Sequence, residues 1–247
     1  MILVVVASGR EWLSSARALG LPRWHLPRSE VTSISSDLAL LRTGVGPEHA
    51  KKAASKIVAF GPDIVLHAGY AGALRAGLNA GDLLTVTTLS EGLFDPDGET
   101  SSMPAPLPTD SQLSDSLRSA LALLPGRMAQ GGLLTVTRFI DRSEDKLRLG
   151  AQGRYVACDM EATVVRSAAD RCGARYVGLR AISDSSHHEM PPGLRDKGLR
   201  VVLSWASNPA RASLDSWHMV HGWTRASASI ERALPSVVRL LQDVSAS

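Results

Sequence analysis

The chain has 247 residues, 44% hydrophobic and 21% charged, enough for one sizeable core and compatible with a single α/β domain over 1–247. Its 27 basic and 24 acidic residues leave a dispersed formal charge of +3, and no Lys/Arg run is interleaved with aromatics, which argues against a nucleic-acid partner. No stretch reaches the ~20 apolar residues of a membrane span, and the opening MILVVVASGREW lacks the basic flank of a signal peptide, so a cytoplasmic location is expected. The two cysteines, Cys158 and Cys172, form neither a disulfide framework nor a paired zinc spacing and read as free thiols.

ILVVVA (2–7) is a continuous apolar run, the mark of a strand buried on both faces. EWLSSARALG reads as a helix ending at Gly20. LALLRTGVG (38–46) is a strand entering a glycine turn, and EHAKKAASKIVAFG (48–61) a helix with glycine past its end. Strands follow at 63–69 and 81–90, then a helix over 110–124 starting on an Asp cap. Strands over 131–140 and 153–159 precede the helix MEATVVRSAADRCG, and ARYVGLRAIS (174–183) is the last clear strand. From about residue 193 the chain reads as mostly helical. The alternation predicts an α/β three-layer sandwich, a central mixed twisted sheet flanked by helices. The connection 91–112, rich in Pro, Ser, Asp and Gly, is either a binding loop or an excursion without a role.

Ligands of open α/β sheets sit outside the carboxyl ends of the strands. That rule selects Asp159 and Glu161 after one strand, Ser183 and Asp184 at the end of another, and Glu11 one turn beyond the first. Each has a structural reading too. Glu161 suits a first helical turn, Asp184 a turn cap, and Glu11 a solvated helix face. Together they form a crowd of acids that repel one another unless a ligand or a proton accommodates them. HHE (187–189) lacks metal-ligand spacing and reads as loop. His218 and His221 are spaced to share a helix face. Trp205, Trp217 and Trp223 either pack in a core or dimer contact or line an apolar site.

CDMEATVV (158–165) resembles the Met-Glu motif of the nucleoside phosphorylase/nucleosidase superfamily, and RAISD its Ser-Asp motif. TGVGPEHAKKAASKIVAFGPDIVLHAGYAGALRAGLNAGDLL is similar to its Gly-rich core, and VTRFI (136–140) occupies the place of its base-stacking Phe. The resemblance covers about residues 1–190. VVVASGRE with DMEA and AISD looks like the methylthioadenosine/S-adenosylhomocysteine nucleosidase branch. The segment from ISDSSHHEMPP onward looks closer to the hopanoid-associated phosphorylases.

The resemblance implies cleavage of a purine N-riboside, with no cofactor and no metal, by a homodimer or larger homo-oligomer. It implies roles as well. Glu161 would accept from the ribose hydroxyls and Met160 would pack on the sugar. Phe139 would stack on the purine, with Ile140 at its edge. Asp184, beside Ser183, would protonate purine N7, and Glu11 would orient a water. Gly69 and Tyr70 would line the substrate site. Burial and a nearby Glu161 are expected to favour the neutral form of Asp184.

Phosphorolytic relatives often carry an Arg and a Ser at the second glycine turn. Here His67 and Tyr70 stand there, with Arg42 the nearby cation. That departure favours water over phosphate. Phosphorolysis and a catalytically silent nucleoside-binding protein are the alternatives.

Overall fold

The computed structural model describes residues 1–22, 29–92, 105–190 and 209–246, excepting the side chains of 209–216 and 246. Strands β1 (Ile2–Val6), β3 (Leu38–Arg42) and β4 (Ile64–Ala73) lie parallel, with β1 in the middle. Every residue of β1 is buried, as a strand covered on both faces requires. Its side chains alternate between two cores. Ile2, Val4 and Val6 join Leu40, Leu66, Trp12, Leu117 and Leu234 on one face. Leu3 and Val5 join Leu41, Val65, Ile57 and Val165 on the other. Helices α1 (Gly9–Ala18), α3 (Ser111–Leu121) and α6 (Pro209–Ala246) therefore cover one face, and α2 (Pro47–Phe60) and α5 (Ala162–Arg171) the other. The expected three layers are present.

The remaining strands are β2 (Thr32–Ser33), β5 (Leu83–Gly92), β6 (Leu107–Pro108), β7 (Met128–Val136), β8 (Tyr155–Asp159) and β9 (Arg175–Asp184). Pairing adds something the alternation did not foretell. β4 pairs with β9, β9 with β5, β5 with β7, β7 with β8, and β8 returns to β4 through Gly72↔Cys158 and Ala73↔Ala157. Five strands thus close a ring, and the carboxyl ends of β4 and β8 run past each other antiparallel.

Local chemistry sets the helix starts. Ser8 and Glu11 form a reciprocal capping box on α1. α2 starts at Pro47 after Gly46 and ends at the left-handed Gly61. Asp110 caps α3, accepting from Leu113 N–H. Boundaries moved by up to four residues, most at the ends of β4 and β7, where strand pairing overrides local pattern. Helix α4 (Ser143–Gly150) was not anticipated. Of the connection 91–112, β5 takes the start and β6 and α3 the end, and 93–104 lie outside the described residues. So do 191–208, with Trp205. Beyond them the tail is one 38-residue helix with Pro235 inside. No described helix is long and apolar enough to cross a membrane.

α6 lies against the end of β9 at very close range. A Cβ on Gly222 would fall 2.0 Å from the carbonyl oxygen of Ser183. Only glycine permits that approach, and it brings Trp223 to the strand ends.

Candidate active site

A cavity of about 390 Å³ opens at the carboxyl ends of β1, β4, β7, β8 and β9, a volume suited to a small molecule. Ser8, Arg10 and Glu11 line it from the start of α1, Val45 from the turn after β3, and Tyr70 and Gly72 from β4. Phe139 and Ile140 follow β7, Met160 and Glu161 follow β8, and Ser183 and Asp184 end β9. Lys146 of α4 and Trp223 of α6 complete the wall.

Of the residues singled out from sequence, Glu11, Tyr70, Phe139, Ile140, Asp159, Met160, Glu161, Ser183, Asp184 and Trp223 meet in this one cavity. Gly69 stands behind it. A Cβ there would lie 2.7 Å from Glu11 Oε1, so its role is to leave room for that carboxylate. Arg42 does not line the cavity. Among the described residues, the cations that do are Arg10 and Lys146.

Glu11 is both a helix-start residue and a cavity residue. Its Oε2 accepts from the N–H groups of Ala7, at 3.1 Å, and of Ser8. Its Oε1 accepts from Tyr70 N–H at 2.6 Å. Three backbone donors hold one orientation. The Tyr70 hydroxyl lies 2.6 Å from Ser227 Oγ, and burial pushes it up to about 12.

Glu161 accepts from Gly46 N–H. Burial first, then the neighbouring Asp159 charge, push it up to about 8, against the Gly46 hydrogen bond. Burial thus favours the neutral form of this carboxyl.

Asp159 caps the start of α5 and is also half of an ion pair. It accepts from Ala162 N–H at the start of α5, from Thr135 Oγ1 at 3.0 Å and from Arg180 at 2.8 Å. Arg180 also donates to the carbonyls of His67 and Leu179. His67 Nδ1 lies 2.9 Å from Arg180 Nη2 and 3.1 Å from the Tyr176 hydroxyl. Burial, then the Arg180 charge, hold the His67 ring well below its usual range. His67 is thus a neutral acceptor in the core rather than an anion ligand.

Asp184 has a neighbour that the sequence did not suggest. Its Oδ2 meets the ammonium of Lys146 at 2.5 Å, with both side chains almost fully buried. Its Oδ1 accepts from Ser183 Oγ at 2.5 Å. The charged group in contact with Asp184 is thus the ammonium of Lys146.

Lys146 and Arg180 were missed for different reasons. Arg180 left a signal, a charge within the apolar strand YVGLRAI. Lys146 left none, because SEDKLRLG reads as a solvated helix. Cys158 also lines the cavity, and burial raises its thiol to about 12. Arg10 lies 5.5 Å over the Trp223 ring. Trp217 is 60% exposed and stacks on His221, while His218 stacks on His188.

Fold and site together define an α/β protein with a small-molecule cavity walled by carboxylates. The family model of the phosphorylase superfamily matches residues 2–206, and the chain belongs to that superfamily. It is 27% identical over 161 residues to a 5′-methylthioadenosine/S-adenosylhomocysteine nucleosidase of Exiguobacterium sp., covering 62% of this chain and 69% of the relative. It is 26% identical over 185 residues to the AMP nucleosidase of Escherichia coli K12, covering 68% of this chain but only 36% of that protein. Among solved structures, futalosine hydrolase of Helicobacter pylori strain 26695 superposes with a TM-score of 0.72 at 18% identity, covering 96% of this chain and 97% of the other. The 5′-methylthioadenosine/S-adenosylhomocysteine nucleosidase of Helicobacter pylori, complexed with a pyrrolidine compound, gives 0.70 at 18%, with the same coverage. At such identities the structures share the fold.

Proposed function

We propose that the chain hydrolyses the N-glycosidic bond of a purine nucleoside of adenosine type carrying a 5′ substituent. The observation that carries this reading is the grouping of Glu11, Glu161 and Asp184 around one cavity with Phe139 in its wall. Breaking the bond leaves electrons on the purine and positive charge on the sugar. Asp184 serves the first as the acid at N7, a contribution of roughly 10²–10⁴-fold for a positioned group. Glu161 holds the ribose hydroxyls, and Met160 packs on the sugar. The carboxylates also favour its cationic character. Glu11, fixed by three N–H donors, orients the attacking water. The named activities of the sequence relatives, both nucleosidases of adenosine derivatives, support the same class.

Trp223 and Val45 add apolar surface to the cavity wall, and this reading assigns them to the 5′ side of the substrate. An extended aliphatic substituent, as in the resemblance to the hopanoid-associated branch, gains roughly 25 cal/mol per Å² buried there. The deciding experiment incubates the protein with adenosine, methylthioadenosine and 5′-alkyl adenosines of increasing length, with and without phosphate. Free 5′-substituted ribose formed without phosphate, and kcat/KM rising with chain length, are expected. A flat series removes the apolar 5′ site. A ribose 1-phosphate product formed only with phosphate establishes phosphorolysis instead, which Arg10 at the cavity wall favours as the anion ligand. Nucleoside binding without any turnover establishes a silent binding protein.

A further inference from the structure

The buried Lys146–Asp184 pair has a consequence for the proton that leaves with the base. Lys146 Nζ reaches Asp184 Oδ2 at 2.5 Å, the His188 carbonyl at 2.9 Å and the Ser185 carbonyl at 3.4 Å. All three N–H bonds of an ammonium are thereby directed at oxygens. The other Asp184 oxygen takes the Ser183 hydroxyl. Lys146 and Asp184 thus form a buried ion pair in the cavity wall, joined by one short Nζ–H···Oδ2 hydrogen bond. Lys146 is 1% exposed and lines the same cavity, so bulk water is not its immediate neighbour.

We propose that Lys146 is the proton source for the departing purine, acting through Asp184. This rests on the nucleosidase reading above. As the N-glycosidic bond breaks, its electron pair passes to the purine. N7 takes a proton from Asp184, and Asp184 takes one from Lys146 Nζ along the Nζ–H···Oδ2 hydrogen bond. The products of that step are a neutral purine, a carboxylate and a neutral amine. Water adds to C1′ and releases one proton, through Glu11 to solvent. Lys146 recovers a proton from solvent when the site opens, and the balance closes. Lys146 is a positioning residue in this scheme, because it reaches the base only through Asp184.

Charge alone and proton supply make different predictions. Lys146→Arg keeps a cation beside Asp184 but supplies a far poorer proton donor. Lys146→Met removes both. The measurement is kcat for a 5′-substituted adenosine and for 4-nitrophenyl β-D-riboside, whose leaving group departs without protonation. We expect both variants to lose roughly 10²–10⁴-fold on the adenosine substrate and to keep the nitrophenyl riboside rate within about threefold of the parent. Equal losses on both substrates make Lys146 merely structural and overturn the proposal. Full activity of Lys146→Arg on adenosine substrates reduces its role to charge and overturns it too. Failure of the parent protein to cleave either substrate refutes the nucleosidase reading itself, a distinct outcome.

Discussion

Arg180 and Asp159 meet at 2.8 Å at the cavity wall, with side chains 1% and 2% exposed. The pair ties the end of β8 to β9 and feeds the start of α5, so it holds in place the turn that carries Met160 and Glu161. Arg180→Met leaves a buried carboxylate without its cation, and losses of about 3–5 kcal/mol are typical of such breaks. Urea denaturation is the check. Arg180→Met combined with Asp159→Asn should recover part of the loss, and an additive double variant would show that the two do not act as a pair.

Glu161 gives the ligand-free protein a pH dependence. Its carboxyl sits near 4.5 unperturbed and is raised to about 8 in the fold. Between those values the folded state binds a proton that the unfolded state releases. The associated stability is fully present below about 4.5 and is lost as pH rises through about 8. Thermal unfolding of the parent and of Glu161→Gln across this window should show the parent falling more steeply with pH. Parallel curves would place the titration elsewhere.

Glu11→Gln separates two roles of one carboxylate. An amide offers one acceptor oxygen where Ala7, Ser8 and Tyr70 need two. Loss of the capping box should cost about 0.5–2 kcal/mol. Turnover should fall further than that instability explains, roughly 10²-fold or more if Glu11 orients the water. A stable, fully active variant would remove Glu11 from the chemistry.

Asp184→Asn keeps the shape of the side chain and, on the proposed reading, removes the acid at purine N7. Turnover should fall roughly 10²–10⁴-fold while binding of a nucleoside analogue persists in calorimetry. Turnover near the parent rate would reassign the acid.

Gly222→Ala tests the approach of α6. The added methyl would sit 2.0 Å from the Ser183 carbonyl, so helix or strand must move. Overpacking of this kind typically costs about 1–3 kcal/mol. Because Ser183 precedes Asp184 and Trp223 follows Gly222, kcat/KM should drop along with Tm. An unchanged enzyme would mean that α6 shifts freely.

The sequence by itself determined the strands, most helices and the carboxylates at the strand ends. An apolar run such as ILVVV is buried whatever surrounds it, and Ser8, Asp110 and Gly61 write their caps within four residues of where they act. The carboxyl-end rule then singled out Glu11, Glu161 and Asp184 without further geometry. Tertiary structure decided what those acids touch. Lys146 lies 38 residues from Asp184, on a short polar helix whose pattern is that of a solvated surface. Its burial follows from where α4 packs, which no local period records. The same holds for the β4–β8 closure, which two residue pairs complete, and for Gly222 against Ser183. A lysine has the same letter in water and in a core, and only the fold chooses its partner.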